Sequence, residues 1–360
     1  LTNYCIYDCA YCINRRSNDL PRATLSVSEL VELTIEFYRR NYIEGLFLSS
    51  GVVRSPDYTM ERLVRVAKDL RQVHRFNGYI HLKSIPGASR ELVNEAGLYA
   101  DRLSVNVEIP KEENLKLLAP EKDHKSVFAP MKYIQQGVLE SKEERQKFRH
   151  APRFAPAGQS TQMIVGATSE SDKDILYLSS ALYGRPTMKR VYYSGYVSVN
   201  TYDTRLPALK QPPLVRENRL YQADWLLRFY QFKVDEIVDD AYPDLDLEID
   251  PKLSWALRHP EQFPVDINKA DYEMLLRVPG IGVKSAKLIV ASRRFSRLGF
   301  YELKKIGVVM KKAQYFITCR ELPLQMQTVN ELSPQRVRSL LLPKPKKKVD
   351  DRQLILDFGE

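Results

Sequence analysis

The fold is decided by a short cysteine-rich stretch near the start of the chain: Tyr4-Cys5-Ile6-Tyr7-Asp8-Cys9-Ala10-Tyr11-Cys12-Ile13. Its spacing is Cys-x3-Cys-x2-Cys, and no fourth cysteine or histidine stands nearby, since Cys319 lies far along the chain. Three thiolates on one loop can bind three irons of a [4Fe–4S] cluster and leave the fourth iron without a protein ligand. A structural zinc site is the alternative, but such sites usually take four protein ligands.

After this loop, apolar segments alternate with amphipathic ones. The pattern predicts strands over residues 46–48, 79–82, 103–107, 162–165 and 191–199, and helices over residues 26–41, 59–75 and 89–100. Ser26 and Glu29 have the spacing of a capping box at the first helix. The strands are apolar rather than strictly alternating in pattern, which favours a parallel sheet covered by helices. In such a fold, chemistry gathers at the carboxyl ends of the strands.

The cysteine loop, with the aromatic Tyr11 directly before its third cysteine, resembles that of radical S-adenosylmethionine (SAM) enzymes. The resemblance implies an α/β fold, a partial (β/α)6 TIM-like barrel. It also implies a [4Fe–4S] cluster held by Cys5, Cys9 and Cys12, with SAM chelating the open iron through its amino and carboxylate groups. Reduction of the cluster would then split the sulfonium and release a 5′-deoxyadenosyl radical.

The same resemblance implies SAM contacts at the ends of the predicted strands, besides Tyr11. Ser49, Ser50 and Gly51 stand where the family has a Gly-Gly-Glu-like segment that binds the SAM amino group, although this chain lacks the glutamate. The remaining implied contacts are those to the ribose, from Asn106 and Glu108, and those to the adenine, from Ile164 and Gly166. Lys83 and Ser84 could face SAM or substrate, and no residue is assigned as a catalytic acid or base.

A second motif lies in the C-terminal part, where Val278-Pro279-Gly280-Ile281-Gly282 resembles the turn of helix-hairpin-helix DNA-binding modules. Glycines there let a backbone approach a phosphate, and the N–H groups of the next helix bind it. The predicted DNA contacts are Gly280, Ile281, Gly282, Lys284 and Lys287, with Gly307, Lys311 and Lys312 in a weaker second copy. Phosphate contacts do not separate DNA from RNA, and a small helical packing domain with a solvated basic face is the alternative.

Charge is unevenly distributed over the 360 residues, whose net charge is +10. Residues 284–320 contain ten lysines or arginines and one acid, whereas residues 235–250 contain eight acids and no base. We therefore predict four parts: a radical SAM barrel over residues 1–232, an acidic linker over 233–262, a small all-α helix-hairpin-helix domain over 263–320, and a basic flexible tail over 321–360.

No apolar run approaches the length that crosses a bilayer, so no membrane association is expected. The chain shows no export signal, which predicts a reducing, cytoplasmic setting in which the cysteines form no disulfides. Only four residues precede Cys5, and we expect that the natural N-terminus extends further. The oligomeric state cannot be read from the sequence.

Over nearly its whole length the chain resembles radical SAM proteins described as DNA modification or repair proteins. The resemblance rests on the cysteine loop, the hairpin turn, and the segments 158–166 and 219–230. It implies a DNA substrate, an unknown reaction and a flavodoxin- or ferredoxin-like reductant. Gln353-Leu-Ile-Leu-Asp-Phe358 also resembles peptides that dock onto the sliding clamp. The alternatives are an RNA-modifying radical SAM enzyme and a non-catalytic metal-containing DNA-binding protein.

Overall fold

The computed structural model describes residues 1–321 and 328–342, and a parallel sheet occupies its N-terminal part. The five strands lie in chain order: β1 (Gly45–Leu48), β2 (Tyr79–Lys83), β3 (Arg102–Ser104), β4 (Gln159–Val165) and β5 (Met188–Gly195). The expected α/β fold with a parallel sheet is confirmed. The sixth strand of the predicted (β/α)6 barrel is not found within the described ranges. Residues 1–4 run beside the end of β1, where the Gly51 N–H donates to the Thr2 carbonyl at 2.9 Å, but they form only one isolated bridge, between Thr2 and Thr24.

Strand β3 is shorter than the predicted 103–107. The ladder to β4 is interrupted because the Val107 N–H donates to the Thr161 hydroxyl at 3.0 Å instead of to a backbone carbonyl. Pairing resumes as a single bridge between Glu108 and Met163. The irregularity leaves Glu108 with a backbone φ of 64°, a left-handed conformation that is uncommon for a residue with a side chain.

Helices cover the sheet: α1 (Val27–Arg39), α2 (Pro56–Gln72), α3 (Arg90–Tyr99), α4 (Glu112–Leu118), α5 (His124–Lys147), α6 (Asp172–Tyr183), α7 (Leu214–Phe229) and α8 (Val234–Ile237). The predicted capping box is present, since the Ser26 hydroxyl accepts the Glu29 N–H and the Glu29 carboxylate accepts the Ser26 N–H. The buried residues of α2 recur with helical spacing and face the sheet: Thr59, Met60, Leu63, Val64, Val66, Ala67 and Leu70.

The chain divides into two compact units, and the main boundary between them lies inside the predicted linker over 233–262. The first unit comprises Leu1–Arg228 and Phe232–Leu245, and the second comprises Phe229–Gln231 and the residues from Asp246 onward. The acidic segment is therefore not a linker over 233–262. Its first half folds with the first unit, where Lys173 pairs with Asp240 at 2.5 Å, and its second half folds with the second unit.

The second unit contains α9 (Pro251–Arg258), α10 (Tyr272–Arg277), α11 (Val283–Ser292), α12 (Phe300–Ile306), α13 (Met310–Ala313), α14 (Val329–Leu332) and α15 (Pro334–Leu341), with a 3₁₀ turn at Pro260–Gln262. It is not purely helical, because β6 (Val265–Asp266) pairs in parallel with β7 (Ile317–Thr318). Its core contains Phe263, whose ring packs edge-on against Trp255 and Phe316.

Part of the predicted flexible tail is helical. The Arg338 guanidinium of α15 pairs with Asp246 and, at 2.5 Å, with Glu248, while the Asn330 amide donates to the Phe263 carbonyl at 2.6 Å. The proposed clamp-docking peptide over residues 353–358 lies outside the described residues. Within the part of the chain that the structure describes, no helix is long and apolar enough to span a membrane.

Candidate functional site

A cavity of about 350 Å³ lies at the carboxyl ends of β1, β2 and β3. All three cysteines of the loop line it, and none forms a disulfide. Five residues with predicted roles in SAM binding also line it: Tyr11, Ser49, Ser50, Gly51 and, after the end of β3, Glu108. The structure thus gathers groups that are more than one hundred positions apart in the sequence.

The cysteine thiols sit in a poorly solvated environment. Burial raises the pKa of Cys9 to about 11, and it also raises the pKa of Cys12. The sulfur of Cys5 lies 3.4 Å from the backbone nitrogen of Val52, directly after β1. In the absence of a metal the Cys9 and Cys12 thiols are therefore protonated near neutral pH, and a bound metal would have to displace their protons.

The cysteine loop is held from behind by a segment that follows β5. Asn200 is 1% exposed, and its amide nitrogen donates to the Ala10 carbonyl at 2.6 Å and to the Cys12 carbonyl at 3.0 Å. Arg15 is also buried and pairs with Asp8 at 2.8 Å and with Asp203 at 2.6 Å. These bonds fix the loop between its second and third cysteines.

The segment after β1 holds the front of the loop. The Ile6 N–H donates to the Val52 carbonyl at 2.8 Å. At Gly51, a Cβ atom would overlap the carbonyl oxygen of Tyr4, so only glycine permits the loop to approach this closely. The role of Gly51 in the structure is thus to accommodate the chain that leads into Cys5.

A group of charged side chains occupies the wall opposite the segment after β1. Glu108 lies 3.5 Å from the Lys83 ammonium and 3.8 Å from that of Lys122. Burial alone would raise the pKa of Glu108, but Lys83 and Lys122 outweigh it and lower that pKa. The Lys122 ammonium also donates to the Tyr11 hydroxyl at 3.4 Å. Burial would lower the pKa of Lys122, but Tyr11, Cys9 and Glu108 raise it well above its ordinary value.

The donor set suits a [4Fe–4S] cluster. Cys5, Cys9 and Cys12 are three free thiols on one wall of one cavity, and each iron of such a cluster takes a single thiolate. Among the described residues, no three His, Cys, Asp or Glu side chains converge on one metal ion. A cluster does not require such convergence, because its irons spread the thiolates apart.

Three of the predicted SAM contacts do not line the cavity. Asn106 is buried, and its amide donates to the Gln162 side chain at 3.2 Å. Ile164 packs against the apolar cluster that includes Cys9, and its N–H donates to the Glu108 carbonyl at 2.7 Å. Gly166 has a φ of 84° and lies beside Pro213.

Lys122, Asn200 and Arg15 have no predicted role in the sequence analysis, yet the structure places all three at the loop or the cavity. Lys122 stands in the charged stretch Glu121-Lys122-Asp123, which by sequence alone indicates a solvated turn. Asn200 follows a strand and matches the pattern of a turn former. Their roles become visible only in the folded structure, where these residues lie close to the cysteine loop or its cavity.

The predicted DNA-binding residues lie around two neighbouring turns of the second unit. The Val309 N–H donates to the Gly280 carbonyl at 2.9 Å, which joins the turn between α10 and α11 to the turn between α12 and α13. Gly280 has a φ of 89°, and a Cβ there would lie 2.6 Å from the Val309 carbonyl oxygen. Gly307 ends α12 with a φ of 91°.

Two of these residues make contacts within the protein. The Ile281 side chain is 1% exposed, and its carbonyl accepts the buried Lys252 ammonium at 2.5 Å, so this residue belongs to the core. Lys312 pairs with Asp250 at 2.6 Å. Gly282, Lys284, Lys287 and Lys311 remain at the surface or near it, and the three lysines are exposed.

Residues 1–138 match the family model described as Radical SAM superfamily. A comparison with curated proteins gave no match. A solved structure of HydG, described as a maturase of the [FeFe]-hydrogenase, is 14% identical with a TM-score of 0.47, over 63% of this chain and 48% of that chain. Another HydG, from Carboxydothermus hydrogenoformans, is 13% identical with a TM-score of 0.45, over 63% of this chain and 49% of that one.

Coproporphyrinogen III oxidase (HemN) from Escherichia coli, described as a radical SAM enzyme, is 14% identical with a TM-score of 0.38, over 71% of this chain and 56% of that chain. This chain therefore spans about half the length of these proteins. Likeness at this level says nothing about substrate. The family match, by contrast, covers the cysteine loop and the cavity residues of β1, β2 and β3. Residues 1–138 are therefore similar to the radical SAM superfamily, whose members use a [4Fe–4S] cluster and S-adenosylmethionine.

Proposed function

We propose that this protein is a radical SAM enzyme that acts on DNA, by base modification or lesion repair, and that Cys5, Cys9 and Cys12 bind its cluster. The observation that carries the proposal is the convergence of three free thiols on one cavity within the part of the chain that matches the superfamily. When bound and reduced, the cluster would supply the electron that splits SAM. The donor would be a flavodoxin- or ferredoxin-like protein.

The residues of the cavity would orient SAM beside the cluster. Ser49, Ser50 and Gly51 present backbone groups directly after β1, and Glu108 is an acceptor for ribose hydroxyls. Asn106, Ile164 and Gly166 do not line the cavity. Asn106 would hold the strand end next to Glu108 through its bond to Gln162, and Ile164 and Gly166 stay proposed as adenine contacts. The apolar packing around Cys9 and Tyr11 would limit the access of water to a reactive intermediate.

The second unit would supply the DNA contacts. The helices that follow its two neighbouring turns, α11 and α13, carry the exposed Lys284, Lys287 and Lys311, and Gly282 leaves the start of α11 uncovered by a side chain at that position. Such groups bind phosphates without reading base sequence. The target nucleotide would have to leave the base stack to reach an enclosed cavity, a step that is easier for a damaged or mismatched base.

The cluster assignment is tested by anaerobic reconstitution with iron and sulfide, followed by reduction with dithionite in the presence of SAM. We expect several irons per chain and the formation of 5′-deoxyadenosine, measured by chromatography. Cys9→Ala should abolish both. Cys319→Ala is the matched control, because Cys319 lies in the second unit and outside the cavity.

Stoichiometric zinc in place of iron, or equal product from the Cys9→Ala variant, would overturn the assignment. An intact cluster that never cleaves SAM would point instead to the non-catalytic, metal-containing DNA-binding protein. These outcomes are independent of the DNA question.

The DNA assignment is tested with duplex binding by the double variant Lys284→Ala/Lys287→Ala. We expect an affinity loss of about tenfold or more, since each phosphate contact contributes to binding. Lys269→Ala is the matched control, because Lys269 is an exposed lysine of the same unit, outside the two turns, that pairs with Asp266. Equal DNA affinity for the double variant and the control would refute the assignment. Stronger SAM turnover with matched RNA than with DNA would shift the substrate to RNA.

A further inference from the structure

Lys122 is a buried cation beside the proposed cluster ligands. Its side chain is 12% exposed, and it reaches the cavity from the connection between α4 and α5. The ammonium lies 5.7 Å from the centre of the Tyr11 ring, the residue directly before Cys12. No step of SAM binding described above assigns a task to this charge.

The Glu108 carboxylate next to Lys122 does not balance the positive charge of its two lysine neighbours. Glu108 serves both Lys122 at 3.8 Å and Lys83 at 3.5 Å, so two cations share one anion. Two other acids at the loop do not line the cavity: Asp8 is paired with Arg15, and the Glu121 carboxylate accepts the Asp8 N–H at 3.1 Å. A buried ammonium is costly unless negative charge compensates it. The remaining negative charge on this side of the cavity would come from the cysteines and the cluster they bind.

We propose that the Lys122 ammonium tunes the cluster electrostatically and makes it easier to reduce. This inference rests on the proposed ligation by Cys5, Cys9 and Cys12. Reduction adds one electron from the donor protein to the cluster and so increases the negative charge facing Lys122. A fixed positive charge in a poorly solvated wall stabilises the more negative state. Net charge near an iron–sulfur cluster is one of the factors that set its potential.

The test is a redox titration of the full-length, reconstituted protein, without SAM or nucleic acid, followed by absorption and electron paramagnetic resonance. In Lys122→Met we expect the ratio of reduced to oxidised cluster, at a fixed solution potential, to fall by about tenfold or more. Lys122→Arg keeps the charge and should stay near the wild-type ratio. Lys125→Met is the matched control, because Lys125 is an exposed lysine of α5 that does not line this cavity.

A second variant changes the charge in the opposite direction. Glu108→Gln removes the shared anion, so its cluster should be reduced more easily than that of the wild type. This variant keeps the proposal testable if Lys122→Met fails to retain its cluster. A Lys122→Met ratio within about twofold of wild type, or a Glu108→Gln cluster that is no easier to reduce, would overturn the proposal. Failure of the wild type to bind a cluster would instead refute the proposed ligation itself.

Discussion

Gly51 shows how one residue can be required by its neighbours rather than by a ligand. The backbone of Tyr4 occupies the space that a side chain at this position would need. From the sequence, Gly51 is predicted as a site residue by its place after a strand, and the three cysteines by their spacing. No sequence pattern indicates Lys122 or Asn200, because the burial of a polar side chain is decided by segments far away in the chain.

Gly51→Ala should displace the chain that leads into Cys5. We expect a loss of stability of about 1 to 3 kcal/mol, typical of overpacking, and less iron retained per chain after reconstitution. Urea unfolding and iron analysis measure the two effects. Gly282→Ala is the control, because a Cβ there would meet only the Tyr230 hydroxyl, at 3.5 Å. Full iron retention by Gly51→Ala would refute this account of the loop.

Lys252 provides a pH-dependent prediction. Burial lowers the pKa of Lys252 to about 7; Asp250 opposes this shift, while Lys312 and Arg277 reinforce it. The folded state then binds fewer protons than the unfolded state between pH 7 and the ordinary lysine pKa of 10.5, so the second unit should become more stable as pH rises through this window. The Ile281 carbonyl and the Tyr230 ring favour the ammonium, so the gain should be at most about 3 kcal/mol.

Lys252→Met should remove this rise in stability. The measurement is urea unfolding near pH 7 and near pH 9.5. The difference in free energy of unfolding between wild type and variant should change between these two pH values. Each unit contains one of the two tryptophans, Trp225 in the first and Trp255 in the second. In a Trp225→Phe background, fluorescence therefore reports on the second unit alone. Parallel pH dependence in both proteins would contradict the prediction.

The positions of the strands were largely predictable from the sequence, and their ends were not. The apolar runs identify β1, β2, β4 and β5, and the capping box marks the start of α1. The prediction for β3 was too long, because the Thr161 hydroxyl replaces a backbone acceptor. A side chain on the neighbouring strand ends the ladder, and hydrophobic periodicity carries no information about it.

The turn between α10 and α11 should require glycine at position 280 and tolerate a side chain at position 282. Gly280→Ala should destabilise the second unit by about 2 kcal/mol or more, because its positive φ and the nearby Val309 carbonyl both oppose a side chain. Gly282→Ala should leave the unit within about 1 kcal/mol of wild type. Urea unfolding followed by Trp255 fluorescence measures both variants. Equal stability would show that the two turns do not pack together as described. The Gly282 variant is also the better probe of phosphate binding, since its fold should persist.

The organisation of the whole molecule was predicted in outline. The contrast between an acidic and a basic stretch indicates a second unit, but the acidic residues belong to the two units and not to a linker between them. Acidic side chains of the supposed linker pair with Lys173 and Arg216 in the first unit and with Arg338 in the second. A run of like charges predicts a solvated linker only when no cations in the fold lie within reach.

The net charge of +10 leads to a prediction about how DNA binding depends on salt concentration. If Lys284, Lys287 and Lys311 each bind a phosphate, replacing one of them by alanine should reduce the slope of log affinity against log salt by about 1. Duplex titrations at several salt concentrations measure this slope. Lys173→Ala removes the same charge from the first unit, where Lys173 is paired with Asp240, and should leave the slope unchanged. Equal slope changes for all four lysines would mean that only the total charge matters.

The bonds from Asn200 have a consequence for the order of events during synthesis. The cysteine loop is translated before the amide that holds its Ala10 and Cys12 carbonyls, which follows about 190 residues later. A growing chain that stops before Asn200 carries Cys5, Cys9 and Cys12 but lacks the support behind them. Loading of the proposed cluster should therefore follow the translation of Asn200, after β5, and would take place on a folded sheet rather than on a nascent loop.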